Sequence, residues 1–407
     1  MFKAILLICF LTAPAVSIAQ NSIIKDHTQA IQTDEQGRFF NLNVLEKPLT
    51  GVQVVTLGEQ THFDGATFDA KIQLIKYLHE VLGFNVLAFE SGYYDCTKAG
   101  LMLSKDPVNG TLKDAVFGVW DTRAVSALEQ YVIATHKTPN PLRLTGFDAQ
   151  FSGKLSGKYL LADLENSISQ VGGEKIVNQP EWEGFKSAVQ RQIKYSNFYK
   201  KPSTKDTLLI GQVSRQVREL LDSKALGLDK DEHYFWKKVL ANLVFDTKHR
   251  YGSNNFRDSV MALNLLSLVT ERYPNEKVIC WGATSHFIYN PKAIRSKDYE
   301  TFIPMGDYLH QKLRKSLFTI GFTSYKGKAG SMITHHLKEP PEDSYEGQLG
   351  RTGYRYAFTN FREVASEQKN SITTESRLLG NKFQRMDLSK VIDAMFYIET
   401  AYPPRMK

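Results

Sequence analysis

Apolar positions along this chain recur in two alternating rhythms. Val54, Val55 and Leu57 form a short continuous run, and "ATFDAKIQLIKYLHEVLGF" then places Phe68, Ile72, Ile75, Leu78 and Leu82 at spacings of three and four. The first pattern predicts a buried strand and the second one face of a helix. Gly83 follows, the residue type that stops helices in a left-handed turn. "NVLAFES" is the next apolar run and ends in Glu90 and Ser91. Strand, helix and strand within roughly forty residues make the repeating unit of a parallel sheet.

The rhythm repeats downstream. "AVSALEQYVIATHK" carries Val125, Leu128, Val132 and Ile133 on one helical side, and "LRLTGFD" runs as a strand into Asp148. "RDSVMALNLLSLVTERY" reads as a helix with Asp258 as its N-cap, feeding the strand-like "EKVICWGATSH" that closes near His286. "SLFTIGF" and "SKVIDAMFYIE" predict further strands. From 155 to about 250 no strand-like run occurs, and three helical patterns fill the interval. From about 326 to 380 the periodicity is weak, which predicts irregular chain. The expected fold is α/β, a largely parallel sheet flanked by helices with a helical insertion at about 155–250. We read residues 20–407 as one domain; a separate second domain is the alternative.

The first twenty residues break the pattern. "MFKAILLICFLTAPAVSIAQ" has Lys3, an apolar core from Ala4 to Leu11, then Ser17 and Ala19 in the small-residue spacing of a cleavage site. That predicts a signal peptide over residues 1–19 and an exported protein, periplasmic or secreted. No later apolar run approaches the ~20 residues that cross a bilayer, so no membrane partner is expected once the leader is removed. Only Cys96 and Cys280 then remain, too few for a disulfide framework or a thiolate metal site. The composition, 42% hydrophobic and 23% charged in 407 residues, is that of a globular protein. A net charge of +8 comes from scattered lysines without a basic stripe, which argues against a nucleic-acid partner.

Candidate chemistry sits at the strand ends. Glu59 and His62 follow one strand, Glu90 closes the next, Asp148 another, and His286 a fourth. In parallel α/β sheets, ligands bind outside the carboxyl ends of the strands. Each residue alone is most simply a solvated turn or a cap, but four strand ends that each deliver a titratable group point to a site. Carboxylates beside imidazoles can make a base that activates water, and the same side chains can hold a divalent metal that acidifies it. Both designs are hydrolytic and stay open on these residues, as does a protein that only binds. No G-x-S-x-G elbow, phosphate-binding loop or dinucleotide fingerprint occurs. His79-Glu80 starts a zincin pattern that Gly83 breaks, and the polar context of His335 and His336 predicts a solvated loop.

"LGEQTHFDG" and "GFNVLAFES" resemble the LGEATHG and GF…ALE segments of the erythromycin esterase family. "VWDTR", "LTGFDAQ", "RDSVMALNL", "KVICWGATSH" and "MGDYLHQKL…TIGF" follow in the family's order, covering most of 50–325. The resemblance implies an α/β esterase whose best-known members open the macrolactone of erythromycin-type antibiotics and so confer resistance. It implies direct attack by water, with His62 as general base, Glu59 orienting it, Glu90 positioning water and His286 as the second histidine. Arg257 is implied as the carbonyl or oxyanion binder, with Asp148 and Trp120 beside it in substrate binding. Neither a metal nor another cofactor is expected, and the partner is a small-molecule ester. The chain departs from the family at Ala283, where a histidine is usual, at Ala124, where a glutamate is common, and at Phe63-Asp64. A different ester is therefore an open alternative to a macrolide.

Overall fold

The computed structural model describes residues 24–194, 200–223, 229–249, 254–331, 333–366 and 371–406. The leader expected at 1–19 lies outside them. Along the chain the strands are β1 (Thr28–Ala30), β2 (Val54–Glu59), β3 (Phe84–Gly92), β4 (Arg143–Asp148), β5 (Lys277–Ala283), β6 (Leu317–Gly330), β7 (Thr334–His336), β8 (Tyr356–Asn360), β9 (Thr373–Leu379), β10 (Lys382–Asp387) and β11 (Ala394–Ala401). Two compact units form, one from the chain before Phe84 and after Trp281, the other from Phe84–Trp281. The class is α/β, with largely parallel strands flanked by helices.

In the first unit the strand order is β1-β8-β11-β6-β2. β2, β6 and β11 run parallel, and β8 and β1 complete the edge antiparallel. The first eight residues of β6, Leu317–Ser324, are all buried, as expected of a strand covered on both faces. Helix α1 (Gly65–Glu80) packs Phe68, Ile72, Ile75 and Leu78 inward. The Asp64 side chain accepts from the Thr67 amide at 3.2 Å to cap it, and Gly83 takes φ +71° beyond its end. β9 and β10 pair antiparallel as a separate ribbon.

The described residues of 326–380, expected to be irregular, instead hold β7, β8, β9 and the short helices Tyr345–Gly350 and Phe361–Ser366. Each helix is under two turns, and β9 opens on the polar run Thr373–Arg377 rather than on an apolar one. Their apolar residues, among them Tyr345, Phe361, Ile372 and Leu378, gather in one core cluster with Met395 and Tyr397 of β11.

The second unit is built on β5, β3 and β4, all parallel, with Leu87 level with Ile279 on one side and Leu144 on the other. Its longer helices are α2 (Tyr93–Lys105), α3 (Arg123–Thr135), α4 (Leu155–Gln170), α5 (Pro180–Ile193), α6 (Thr204–Ser223), α7 (Lys230–His249) and α8 (Asn254–Ser267). Between 155 and 249 the described residues contain helices and no strand. α8 begins four residues before the cap expected at Asp258, which sits fully buried inside it. Cys96 and Cys280 are both buried, and neither is in a disulfide.

Candidate active site

β2 delivers Glu59 as its last residue, and the side chain is completely buried. A buried carboxylate needs a partner, and Lys71, itself fully buried on α1, supplies one by donating to Glu59 Oε2. The same ammonium donates to the Gly282 carbonyl at 3.1 Å. The other oxygen, Oε1, lies 3.1 Å from His62 Nδ1. A carboxylate only accepts, so Nδ1 carries the hydrogen and Nε2 is the nitrogen able to take a proton. The His62 side chain keeps 32% of its surface exposed against none for Glu59. Solvent reaches the imidazole while the Lys71–Glu59 pair stays dry.

Two further ties hold this turn in place. Thr284 Oγ1, one residue past β5, donates to the Gly58 carbonyl at 2.6 Å. A Cβ added to Gly58 would lie 2.7 Å from Thr284 Cα and Oγ1, so the approach requires glycine. Gln60 Nε2 donates to the Arg377 carbonyl at 2.9 Å and to Thr323 Oγ1 at 3.2 Å. His286 belongs to the helical turn Thr284–Phe287, partly buried, its ring in a T-shaped contact with that of Phe302. The Thr284 and Lys71 bonds thus link the turn bearing His286 to the turn bearing Glu59 and His62. Nearby, burial raises Asp64 to about 6, against the opposing Thr67 hydrogen bonds.

The second unit holds its own constellation. Glu90 on β3 and Asp148 at the end of β4 are nearly buried, and Arg257 from α8 spans both. Its Nη2 donates to Glu90 Oε1 at 3.1 Å and to Asp148 Oδ2 at 2.6 Å, and its Nε to the same Asp148 oxygen at 3.1 Å. Burial would lower the guanidinium's affinity for its proton, but Asp148 and Glu90 outweigh it and hold Arg257 above its ordinary range. Arg257, expected to meet a carbonyl, here has Nε and Nη2 committed to two carboxylates.

The structure corrects one expected binding residue. Trp120 is completely buried and its ring packs 6.2 Å from that of Phe89, so it has no surface to offer a substrate. His335 and His336 lie on the exposed strand β7, not in a loop. The sequence reading missed Lys71, Gln60 and Thr284. For Lys71 a signal existed: three residues after Phe68 and four before Ile75, it sits on the apolar stripe of α1. Among the described residues, no three His, Cys, Asp or Glu side chains converge in a way that could hold a metal ion.

A family model described as erythromycin esterase matches residues 79–401. The chain belongs to the erythromycin esterase family. The match opens at His79, after the Gly58–His62 turn. A hydrolase-named Bacillus subtilis relative, "Putative hydrolase YbfO", is 27% identical over 93% of this chain and 90% of its own length. Erythromycin esterase type II of Escherichia coli is 22% identical over 87% of this chain and 91% of its own. A crystallised erythromycin esterase in an open conformation shares the fold, with a TM-score of 0.70 at 17% identity over 93% of this chain and 98% of that one. Membership of the erythromycin esterase family, with relatives named hydrolases and esterases, supports hydrolysis as the reaction class.

Proposed function

We propose that this erythromycin esterase family member hydrolyses a carboxylic ester or lactone by general-base attack of water. The observation that carries the reading is the Lys71–Glu59–His62 chain, in which only the imidazole is accessible. His62 Nε2 takes a proton from water as the oxygen bonds to the carbonyl carbon. The buried Glu59 carboxylate stabilises the imidazolium so formed. Collapse of the tetrahedral adduct breaks the carbon–oxygen ester bond, and the proton on Nε2 passes to the departing alkoxide. In this proposal His286, on the turn that Thr284 ties to Gly58, serves the substrate. The leader read at residues 1–19 would put this turnover outside the cytoplasm.

The test is turnover of a panel of macrolactones and simple esters by wild type and His62→Asn, each with and without a chelator. We expect wild-type turnover that survives chelation and a loss of about 10²–10⁴-fold in the variant, the range that positioned proton transfer supplies. Undiminished turnover by the folded variant on every substrate would remove His62 from its role. Loss on chelation, restored by a metal, would replace the mechanism with a metal-assisted one.

A further inference from the structure

A hollow of about 770 Å³ in the second unit lies between α6, α7 and the turn Leu268–Arg272 that continues α8. Its lining carries the permanent cations Arg218, Lys230, Lys237, Lys238 and Arg272 against two acids, Asp231 and Glu271. Local partners absorb part of this charge. Asp222 takes Lys237 at 2.8 Å and His233 at 3.1 Å. Arg272 donates to the Tyr93 hydroxyl at 2.9 Å and stands 3.9 Å from Asp231. Among the described residues no carboxylate lies within ion-pair distance of Arg218, Lys230 or Lys238.

Arg218 and Lys230 are exposed at the rim of the hollow, while Lys237 and Lys238 are half-buried. Burial lowers the Lys238 ammonium below its ordinary range, and Arg218 and Lys237 lower it further while Glu271 opposes them. The Tyr234 ring between the helices has Lys238 Nζ 5.8 Å and the Arg272 guanidinium 5.9 Å from its centre, a cation-holding floor. Like charges gathered in a concave, partly dry site are costly until an anion enters, which then gains charge-assisted hydrogen bonds. A second hollow of about 600 Å³ shares Asp231, Arg272 and Pro274 with the first, and adds Leu101, Leu144 and Tyr273. It offers room for an organic remainder beyond the charged group.

We propose that this hollow binds a small organic molecule through a tetrahedral oxyanion, a phosphate or sulfate ester, with Arg218, Lys230 and Lys238 as its ligands. None of these residues belongs to the Glu59–His62 or the Glu90–Asp148–Arg257 constellation, so the site stands or falls independently of the proposed esterase chemistry.

The test is calorimetric titration of the full chain with inorganic phosphate, in buffer where it is dianionic, and separately with sulfate. A titration with chloride at matched ionic strength serves as the reference. We expect saturable binding that weakens as salt is added, and a loss of at least about tenfold in each of Arg218→Gln and Lys238→Met, the scale of one hydrogen bond to a charged group. Circular dichroism confirms that each variant folds. Preference for phosphate over sulfate assigns a phosphate ester, and the reverse a sulfate ester. Binding no tighter than chloride, or binding unchanged in both folded variants, would overturn the proposal.

Discussion

Lys71→Met removes one of the two groups that share the Glu59 carboxylate and leaves the hydrophobic stem of the side chain in place. Lys71 and Glu59 have no exposed surface, so water cannot replace the lost ammonium. Breaking such a pair from one side costs about 3–5 kcal/mol, because a buried charge is left uncompensated or must take up a proton. Turnover falls as well, since a Glu59 that has lost its buried counter-ion no longer orients and stabilises the His62 imidazole as before. Urea unfolding of wild type, Lys71→Met, Glu59→Gln and the double variant reads the coupling directly. The double variant should recover most of the stability, because exchanging both partners removes the stranded charge, while turnover stays low. A Lys71→Met penalty under about 1 kcal/mol, additive with that of Glu59→Gln, would refute the pair as the anchor of this site.

Arg257→Met should cost about 3 kcal/mol by stranding Glu90 and Asp148 side by side, measured by urea unfolding; Arg257→Lys, which keeps the charge but loses the fork, should fall between. Asp95, fully buried at the start of α2, accepts from the Ser156 amide at 2.7 Å. Burial raises its carboxyl to about 7 despite that bond. A folded value above the unfolded one of about 3.9 means stability is lost as pH rises between them. Asp95→Asn should therefore gain on wild type by about 4 kcal/mol between pH 4 and pH 8, and parallel pH profiles for the two proteins would reject this. Gly58→Ala should lower thermal stability by about 1–3 kcal/mol, the usual price of overpacking, and reduce turnover by shifting the His62 turn; a variant that crystallises with the Thr284–Gly58 bond intact would count against the close approach.

The strand ends were legible because period and polarity change there together. Glu59 and Asp148 are the last residues of β2 and β4 and His286 lies just past β5, as their apolar runs implied, while β3 runs on two residues beyond Glu90 to Gly92. The pairing among them was less legible. Nothing in the spacing of Arg257 reveals that its guanidinium lies on two carboxylates more than 100 residues away. Trp120 looked functional because it sits in a motif, yet tryptophan is also the largest filler a core can use, and here it packs. The chain from 326 to 380 looked irregular because its helices are under two turns long and β9 opens on polar residues, Thr373–Arg377, where an apolar run would have marked a strand.

Lys71 carries the more general lesson about such sites. A catalytic imidazole must touch solvent, so its orienting carboxylate is placed at the rim of the core, and burying that carboxylate demands a cation from inside. The demand is met on the apolar face of the next helix, the one place where a lysine contradicts its surroundings. Four of its helical neighbours, Phe68, Ile72, Ile75 and Leu78, are core, and burying an unpaired ammonium among them would cost several kcal/mol. A lysine on the inner stripe of a helix that follows a strand ending in glutamate therefore predicts a buried ion pair from the residue pattern alone. The same reasoning makes Lys71, not His62, the residue whose loss should damage fold and turnover together, while His62→Asn should damage turnover alone.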